Sequence, residues 1–491
     1  MTVSAVQAQA QSYSGALGSN AWNKGSNVAG LRMDTSRHGS FAELSGSYVS
    51  GGFKSSSQPI TAWTAGASAA TLMHYGRYSL IGDFSFEQFR GQGMAGSMFM
   101  QAETYPFDLI EFTKGTKTRQ KYSFRGGISV DMGDHWFIGA DMRFLSGNYA
   151  KLKDLRHTNY RLEMTVSPGV AYKGDNFSFG LNYLFHRNTE TVKAEQIGTG
   201  ESSYYAFLDK GLEYGKYEVW TGGGTHLSDE GVNGFPVSEM SHGVGFQLSS
   251  GGFFAEMKYA RSQGKAGEKQ TIWFRFPGQS ADLLAEYKIK GDKLSHSIAL
   301  RGSWRSRTNY ETVLEKVSNN GVTLVNEYGS NAIYTKEDLV ISPSYNVSAG
   351  KLSIGLQGEY RHNDEIATLM YPYIYTQETT VFSGQLSLGY VLGHFNLGMT
   401  GGFSKGRLDP QQRMSSETSG VITEPYKLES YWAGKMEFIT TPQIRLIPSV
   451  RYGFSNGMYI AADGRFVRAF NLVIIPSGQR NTFNLRFGYN F

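Results

Sequence analysis

The chain contains 491 residues, of which 18% are charged, 40% are hydrophobic and 60 are glycine. Aromatic residues make up 14% of it, which argues against a disordered chain because such chains are poor in aromatic side chains. The absence of cysteine excludes disulfides, thiolate metal sites, a cysteine nucleophile and a lipid anchor on cysteine. A formal net charge of +5 is small for this length and does not suggest binding to nucleic acid.

The N-terminal residues 1–10 resemble the end of a secretory signal, because Ala8-Gln9-Ala10 has the small residues of a cleavage site. A basic region and a full apolar region are missing, so we interpret residues 1–10 as the remnant of a signal peptide. The alternative is a disordered tail of small residues. Residues 11–38 are predicted to form a periplasmic segment or a small plug, and residues 39–491 a transmembrane barrel.

The chain has no run of 18 apolar residues, which excludes a transmembrane helix but not a membrane-spanning β-barrel. Its C-terminus alternates between apolar and polar residues up to Phe491. This period of two places all the apolar side chains on one face of a strand. The alternation continues in pairs of runs joined by short turn signals: Gly76-Arg77, Gly133-Asp134, Gly174-Asp175, Gly251-Gly252, Gly291-Asp292, Ala349-Gly350, Gly393-His394 and Thr441-Pro442.

Long connections separate these pairs, at about residues 91–118, 188–236, 308–337, 405–428 and 455–480. Short turns on one side and long loops on the other are typical of outer-membrane barrels. We therefore predict an all-β fold: a single transmembrane up-and-down β-barrel of about 18 antiparallel strands, with 16 as the alternative. Short turns and both termini would lie in the periplasm, and the long loops outside the cell. Pro168, Pro343 and Pro448 fall inside predicted strands, where we expect bulges or local bends.

Aromatic side chains mark both ends of the predicted strands. Trp136, Phe253 and Phe395 lie near short turns, whereas Phe382 and Phe403 lie near long loops. Two aromatic bands are expected at the two interfaces of a membrane. The alternative is the core of a large β-sandwich, which has no reason to mark both strand ends.

The other face of the strands is polar and is predicted to line the lumen. The residues assigned to it are Arg125, Asp141, Arg143, Arg301, Arg305, Glu359, Arg361, Arg445, Arg451 and Arg486. Lys435 and Glu437 are assigned to the same face of a strand predicted to end near Thr441. They suit either a charged pore wall that selects anionic or zwitterionic solutes, or a lumen filled by mutual ion pairs and a short N-terminal segment. Because both signs occur on the same strands, the second interpretation is favoured.

The sequence predicts no catalytic, cofactor-binding or metal-binding residue. Its 10 histidines lack metal-ligand spacing, and neither HExxH nor a phosphate-binding loop occurs. His296 is interpreted as an interfacial residue and not as a general base.

Tyr371, Tyr373 and Tyr375 form an aromatic segment in a predicted outer loop, where they would contact a ligand or partner. The alternative is a loop that folds back and caps the pore.

Several segments resemble a Bacteroidota family of outer-membrane β-barrels known only as a domain of unknown function. They are SFAELSGSYV at residues 40–49, GRYSLIGDFSFEQFRG at residues 76–91, Tyr105-Pro106 with Asp108, and the Ser167-Pro168-Gly169-Val170 strand. The resemblance covers most of the chain, including Phe491. Residues 154–157 depart from the family's Asp-Pro-Arg-Pro-like pattern, which puts a role for that loop in doubt. The family has no established activity, so no site residue carries over.

The resemblance implies an accessory role in nutrient or iron uptake, with a TonB-dependent receptor or a surface lipoprotein as partner. The expected function is thus a plugged or gated transport component or accessory and not an enzyme. A passive diffusion porin is the main alternative; an outer-membrane hydrolase and a surface adhesin are weaker ones. Expected contacts are outer-membrane lipid and, through the C-terminal strand ending at Phe491, the barrel-assembly machinery.

Overall fold

The computed structural model describes residue 13 and residues 17–18, 20–196, 204–212, 214–220, 235–268, 271–319, 322–368, 374–409, 412–413 and 428–491. Two short 3-10 turns, Ala21–Lys24 and Val28–Arg32, precede the first strand. Within the described chain, no helix has the length and apolar character needed to cross a bilayer.

Most of the chain forms long antiparallel strands. Their bounds are β1 Gly39–Ser50, β2 Thr61–Tyr75, β3 Tyr78–Ser97, β4 Asp108–Asp131, β5 Trp136–Lys151, β6 Arg156–Lys173, β7 Ser178–Glu195, β8 Tyr204–Asp209, β9 Gly215–Trp220, β10 Phe235–Ser250, β11 Phe253–Glu268, β12 Thr271–Lys290, β13 Leu294–Asn319, β14 Val322–Ala349, β15 Leu352–Thr368, β16 Ile374–Leu392, β17 Phe395–Leu408, β18 Gln412–Arg413, β19 Gln443–Gly453, β20 Met458–Ala469 and β21 Gln479–Asn490. One α-helix, α1, spans Leu428–Thr440.

Eighteen of these strands form a closed antiparallel barrel, which confirms the predicted fold class and strand number. The ring closes where β1 pairs with β21, from Phe41 opposite Asn490 to Ser50 opposite Asn481. The short strands β8, β9 and β18 lie outside the ring, and β8 pairs with the start of β4. Closure satisfies the backbone groups of every strand edge, as a sheet in hydrocarbon requires.

Seven of the eight predicted short turns are present, and glycine makes several of them possible. Gly350 and Gly393 adopt positive φ angles of 58° and 57°, which a side chain would disfavour. Gly39, the first residue of β1, pairs with Leu72 near the β2–β3 turn, and Asn490, the last residue of β21, pairs with Phe41. The start of β1 and the end of β21 therefore lie at the barrel edge that carries the short turns. We call this edge the short-turn end and the opposite edge the loop end.

The predicted turn at Thr441-Pro442 is wrong. The residues before it form α1 instead of a strand, and the eighth short turn lies between β19 and β20 at residues 454–457. The strand count is still correct because β20 lies in the segment that the sequence assigned to a long connection. Lys435 and Glu437 are therefore helical residues and not part of the barrel wall.

Other predicted connections are also too long. Strands β13 and β14 continue to Asn319 and from Val322, so they form a hairpin that extends far beyond the membrane-spanning length of about 10 residues. Similarly, β3 reaches Ser97 and β4 begins at Asp108. Polar residues in these extensions hid the strands, because backbone pairing continues in water without an apolar face.

The three strand prolines produce no bulge. On either side of Pro343, for example, β14 and β15 keep one register, with Ile341 opposite Tyr360 and Ser344 opposite Gln357. Pro168 and Pro448 interrupt the pairing with β7 and β20 in the same way. A missing N–H donor thus opens the ladder over two positions and leaves the register unchanged.

The outer face is apolar, as the alternation predicted. On β21, Phe483, Leu485, Phe487 and Tyr489 are all exposed. Aromatic side chains are exposed near both ends of the strands: Trp136, Phe253, Tyr287, Tyr390 and Phe395 towards the short turns, and Tyr122, Phe382 and Phe403 towards the loops. These two bands fit the interfaces of a membrane.

Candidate functional site

Residues 20–33, here called the N-terminal segment, lie inside the short-turn end of the barrel. Trp22 is 3% exposed and its indole N–H donates to the Ser249 hydroxyl at 2.9 Å. The Asn27 amide donates to the Val170 carbonyl of β6 at 2.8 Å. Side-chain and backbone groups of the strands therefore hold this segment by specific hydrogen bonds.

Glu256 on β11 is the strongest of these anchors. Its Oε1 accepts hydrogen bonds from the Ser26 N–H at 2.7 Å, from the Ser26 hydroxyl at 2.6 Å and from Gln247 at 2.8 Å. Hydrogen bonds to an ionised group are stronger than those between neutral groups. The segment is thus fixed at its centre as well as at Trp22.

A second segment, residues 98–107, enters the barrel from the loop end and is here called the inward loop. Phe107 stacks on Phe274 with ring centroids 5.2 Å apart and meets Phe276 and Phe235 edge-on. Phe99 and Phe107 are each 3% exposed. Burial of these aromatic rings against inward residues of β10 and β12 holds the loop in the barrel mouth.

Glu190 on β7 fixes the inward loop to the wall. This side chain accepts hydrogen bonds from the Met100 N–H at 2.7 Å, the Asn159 amide at 2.9 Å and the Tyr105 hydroxyl at 3.2 Å. It is 1% exposed, so these donors replace water around the carboxylate. The loop therefore docks through a buried, hydrogen-bonded acid as well as through aromatic packing.

A buried triad supports the base of the same loop. Glu111 lies 2.6 Å from Lys151 and 3.1 Å from Lys117, and all three side chains are fully buried. Lys117 also donates to the Ser97 carbonyl at 2.9 Å. Loss of one member would leave a buried charge without its partner, which is strongly destabilising.

The helix α1 and the β8–β9 hairpin complete the cover at the loop end. Lys435 on α1 forms an ion pair with Glu103 of the inward loop at 2.8 Å, and the adjacent ammonium lowers the pKa of Glu103. Glu437, on the same helix, accepts from the Ile474 and Ile475 N–H groups at 3.0 Å and 2.6 Å. Both residues hold the cover together, in place of the predicted position on the barrel wall.

Two acids lie opposite each other where β8 pairs with the first residue of β4, beyond the aromatic band. Burial raises the pKa of both Asp108 and Asp209 to about 7. The Ser97 hydroxyl opposes the shift at Asp108, and the Gly211 N–H opposes it at Asp209. We therefore expect the docked hairpin to lose stability as the pH rises towards 7.

A cavity of about 580 Å³, here called the chamber, lies between the N-terminal segment and the inward loop. Ser26 belongs to its lining on one side and residues 101 and 103–106 on the other. Inward side chains of β5–β7 and β10–β14 form the wall, and the described lining as a whole carries six basic residues and six acidic ones, of which Glu103 belongs to the inward loop. The volume lies in the range of small-molecule sites.

Most charges of the chamber are paired. Arg143 contacts Asp141 at 2.9 Å, and Arg307 contacts Glu239 at 2.9 Å. Further pairs are Lys258–Asp282 at 3.2 Å, Lys336–Asp338 at 3.9 Å, and Arg161 with Glu163 and Glu190. The exception is Arg305, which has an exposed side chain and forms no ion pair with any described residue.

The ten predicted lumen residues fall into three groups. Paired ones are Arg125 and Arg143 with Asp141, Glu359 with Arg361 at 3.2 Å, and Arg486 with Asp463 at 2.6 Å. Arg445 donates to Gln385 at 3.1 Å, and Arg451 lies over the Tyr459 ring at 3.8 Å. Arg301 and Arg305 form no ion pair within the described part of the chain. Asp141, Arg143 and Arg305 line the chamber.

Of the three tyrosines predicted to form an aromatic loop segment, the structure describes only Tyr375. Tyr371 and Tyr373 lie outside the described residues. Tyr375 packs against the buried aromatic cluster around the inward loop. For this residue the contact is with the chain itself, and its role in binding a ligand or partner stays a prediction.

Strand histidines contact hydroxyl groups. His296 lies 2.8 Å from the Tyr345 hydroxyl on the outer face, and His74 lies 2.8 Å from the Ser79 hydroxyl. Ser79 is fully buried and the other nitrogen of His74 contacts the Arg37 carbonyl. Among the described residues, no Ser–His–carboxylate arrangement and no metal-binding group of three side chains occurs.

The sequence does not predict that Glu190 anchors the inward loop. Tyr105 and Met100 lie 85 and 90 positions before Glu190 in the chain, too far apart for local spacing to indicate the contact. One signal was present: Phe99, Tyr105 and Phe107 are more apolar than an exposed loop needs. A loop of this composition folds against something.

A closed 18-stranded barrel with an apolar outer face, two aromatic bands and a polar interior is an outer-membrane β-barrel. The chain belongs to the Family of unknown function (DUF6850), whose model matches residues 28–491. This confirms the expected membership in a family of unknown function; its restriction to Bacteroidota stays a prediction. No curated protein matches the sequence.

The chain has distant structural similarity to solved outer-membrane proteins. The chain is similar to BauA, the ferric preacinetobactin receptor of Acinetobacter baumannii, with 9% identity, a TM-score of 0.42, and coverage of 92% of this chain and 80% of that one. The same four values describe its similarity to a mutant of the ferric enterobactin receptor PfeA of Pseudomonas aeruginosa. For the outer membrane transporter YddB of Escherichia coli, identity is 7%, the TM-score 0.42, and coverage 92% and 80%. Likeness at this level carries no conclusion about ligands.

Proposed function

We propose that the protein is a gated transport component or accessory of an outer-membrane nutrient-uptake system. The observation that carries the proposal is that the chain itself occupies both ends of the lumen and leaves a polar chamber between them. The N-terminal segment acts as a small plug at the short-turn end, and the inward loop acts as the outer gate. A solute enters when the gate leaves its site on Glu190.

The proposal includes an orientation in the membrane. The short-turn end and both termini lie in the periplasm, and the loop end faces outside. In this orientation the C-terminal strand presents Phe491 to the barrel-assembly machinery. A TonB-dependent receptor or a surface lipoprotein is the proposed partner, with iron among the candidate nutrients. Pull-down from detergent-solubilised outer membranes tests the partner.

A passive porin is the second candidate, and one observation favours it. Gln357 and Arg361 on β15 have exposed side chains on the inner face, so part of the lumen wall is wetted. Conductance in planar bilayers separates the two functions. The gated component gives no large, stable open steps, whereas such steps in most insertions would establish the porin.

A further inference from the structure

We propose that the chamber binds a small organic solute through an anionic group, a carboxylate or a phosphate, held by Arg305 and passed to Arg301 on the same strand. This inference rests on the proposed transport function and names its substrate class.

Among the charged residues of the described chamber lining, Arg305 is the one that forms no ion pair with a described residue. The other five basic side chains of the lining each have a carboxylate within 4.0 Å, and the six acids of the lining each have a basic partner. A cation that pairs with an internal acid offers little to a solute, because binding must first break the pair. Arg305 needs no such step.

The immediate neighbours leave Arg305 free to take a ligand. Ser280 lies directly opposite it on β12 and Asp338 directly opposite on β14. Asp338 is held by the Asn363 amide at 2.6 Å and by Lys336. Ser280, in the chamber lining, supplies a neutral hydroxyl that can bond a further oxygen of a solute.

The next two free cations lie towards the short-turn end. Arg301 precedes Arg305 by four residues on the same face of β13, which places the two Cα atoms about 13 Å apart. Its side chain is exposed and has no ion pair with a described residue. Lys24 of the N-terminal segment lies near Glu286, Lys288 and Arg301, and Glu286 forms its ion pair with Lys288, at 3.2 Å.

Three cations, none of which forms an ion pair with a described residue, thus run from the chamber towards the N-terminal segment. A guanidinium binds a carboxylate or phosphate with two parallel hydrogen bonds, which a neutral sugar or a cation does not form. The order Arg305, Arg301, Lys24 gives an anionic group successive sites along the wall. The chamber volume of about 580 Å³ limits the solute to a small molecule.

Calorimetric titration of the full chain in detergent tests the site, with citrate and inorganic phosphate as probe anions and spermidine as the polycation control. The titration is repeated with chains that also carry Glu190→Ala, which removes the acceptor that holds the inward loop, so that access through a closed gate does not decide the result. We expect saturable binding of at least one anion and none of spermidine. Arg305→Gln weakens binding about 10- to 100-fold, the loss expected for one hydrogen bond to a charged group.

The matched control is Arg486→Gln, which removes a lumen arginine that is already paired with Asp463. We expect its affinity for the anion to equal that of the wild type. The proposal is overturned if neither anion binds, if Arg305→Gln binds as tightly as the wild type, or if Arg486→Gln weakens binding as much as Arg305→Gln. Circular dichroism of each variant verifies the folded barrel.

The two proposals fail in different ways. A wild-type chain that stays closed in bilayers but binds no anion removes the anion site and leaves the gated component standing. A chain that conducts freely but binds anions through Arg305 removes the gate and leaves the site.

Discussion

Replacement of Glu190 by alanine is expected to open the outer gate. Two of the three donors to this carboxylate, the Met100 N–H and the Tyr105 hydroxyl, belong to the inward loop. A hydrogen bond to a charged group contributes about 1.5–3 kcal/mol. Because the freed donors regain water when the loop leaves, we take the lower end for each and expect a loss of about 3 kcal/mol.

A change of this size raises the ratio of open to closed gate by about 100-fold, since 1.4 kcal/mol corresponds to a factor of ten. Single-channel recording in planar bilayers measures this ratio as the open probability. Glu190→Gln keeps one acceptor oxygen and should give an intermediate value.

Glu163→Ala is the matched control. Glu163 also lines the chamber and pairs with Arg161, yet none of its contacts reaches the inward loop. The variant should keep the open probability of the wild type. If Glu190→Ala and Glu163→Ala give equal open probabilities, the carboxylate does not hold the gate and the reasoning is refuted.

Three further predictions concern the cover and the plug. Phe107→Ala removes a ring that packs on Phe274 and should weaken docking of the inward loop by about 3–5 kcal/mol, seen as faster hydrogen exchange in residues 98–107; unchanged exchange would argue against aromatic anchoring. Burial raises the pKa of Asp209 to about 7 from an ordinary 3.8, so the docked β8–β9 hairpin binds more protons than the undocked one between these values and loses stability as pH rises through that window. Exchange in β8, corrected for intrinsic rates, should be faster at pH 8 than at pH 5, and Asp209→Asn should reduce the difference; an equal difference in the variant would exclude this group. Glu256→Ala removes the acceptor of both Ser26 donors and should make the N-terminal segment more sensitive to added protease by about 100-fold, whereas sensitivity equal to wild type would show that other contacts suffice.

The barrel itself was predictable because lipid imposes a simple rule on each strand. Every outward side chain must be apolar, so the period of two survives in β21 from Phe483 to Tyr489. A strand is not recognised from its alternation where the inward side chains are also apolar. In β20, Tyr459 and Val467 face inward and are buried, which erased the alternation and hid the strand.

Helix α1 was mistaken for a strand because its residues fit two periods. Trp432, Met436 and Phe438 alternate with polar neighbours, yet Tyr431 and Lys435 lie four apart on one helical face that contacts the inward loop region. The local pattern does not choose between the strand period and the helical period. The choice depends on β20, which supplies the eighteenth strand of the barrel in place of residues 428–440. The chamber was beyond prediction, since its ion pairs, such as Arg307 with Glu239, join residues 68 positions apart.

The central claim, a polar chamber shut off at both ends by the chain's own segments, is tested most directly by thiol labelling. The natural chain has no cysteine, so single substitutions report one position each. Ser241→Cys in the chamber wall should react far more slowly with a bulky maleimide than Lys153→Cys on the exposed loop, and should become reactive when combined with Glu190→Ala. Equal labelling rates at the two positions in the otherwise natural chain would contradict the closed chamber.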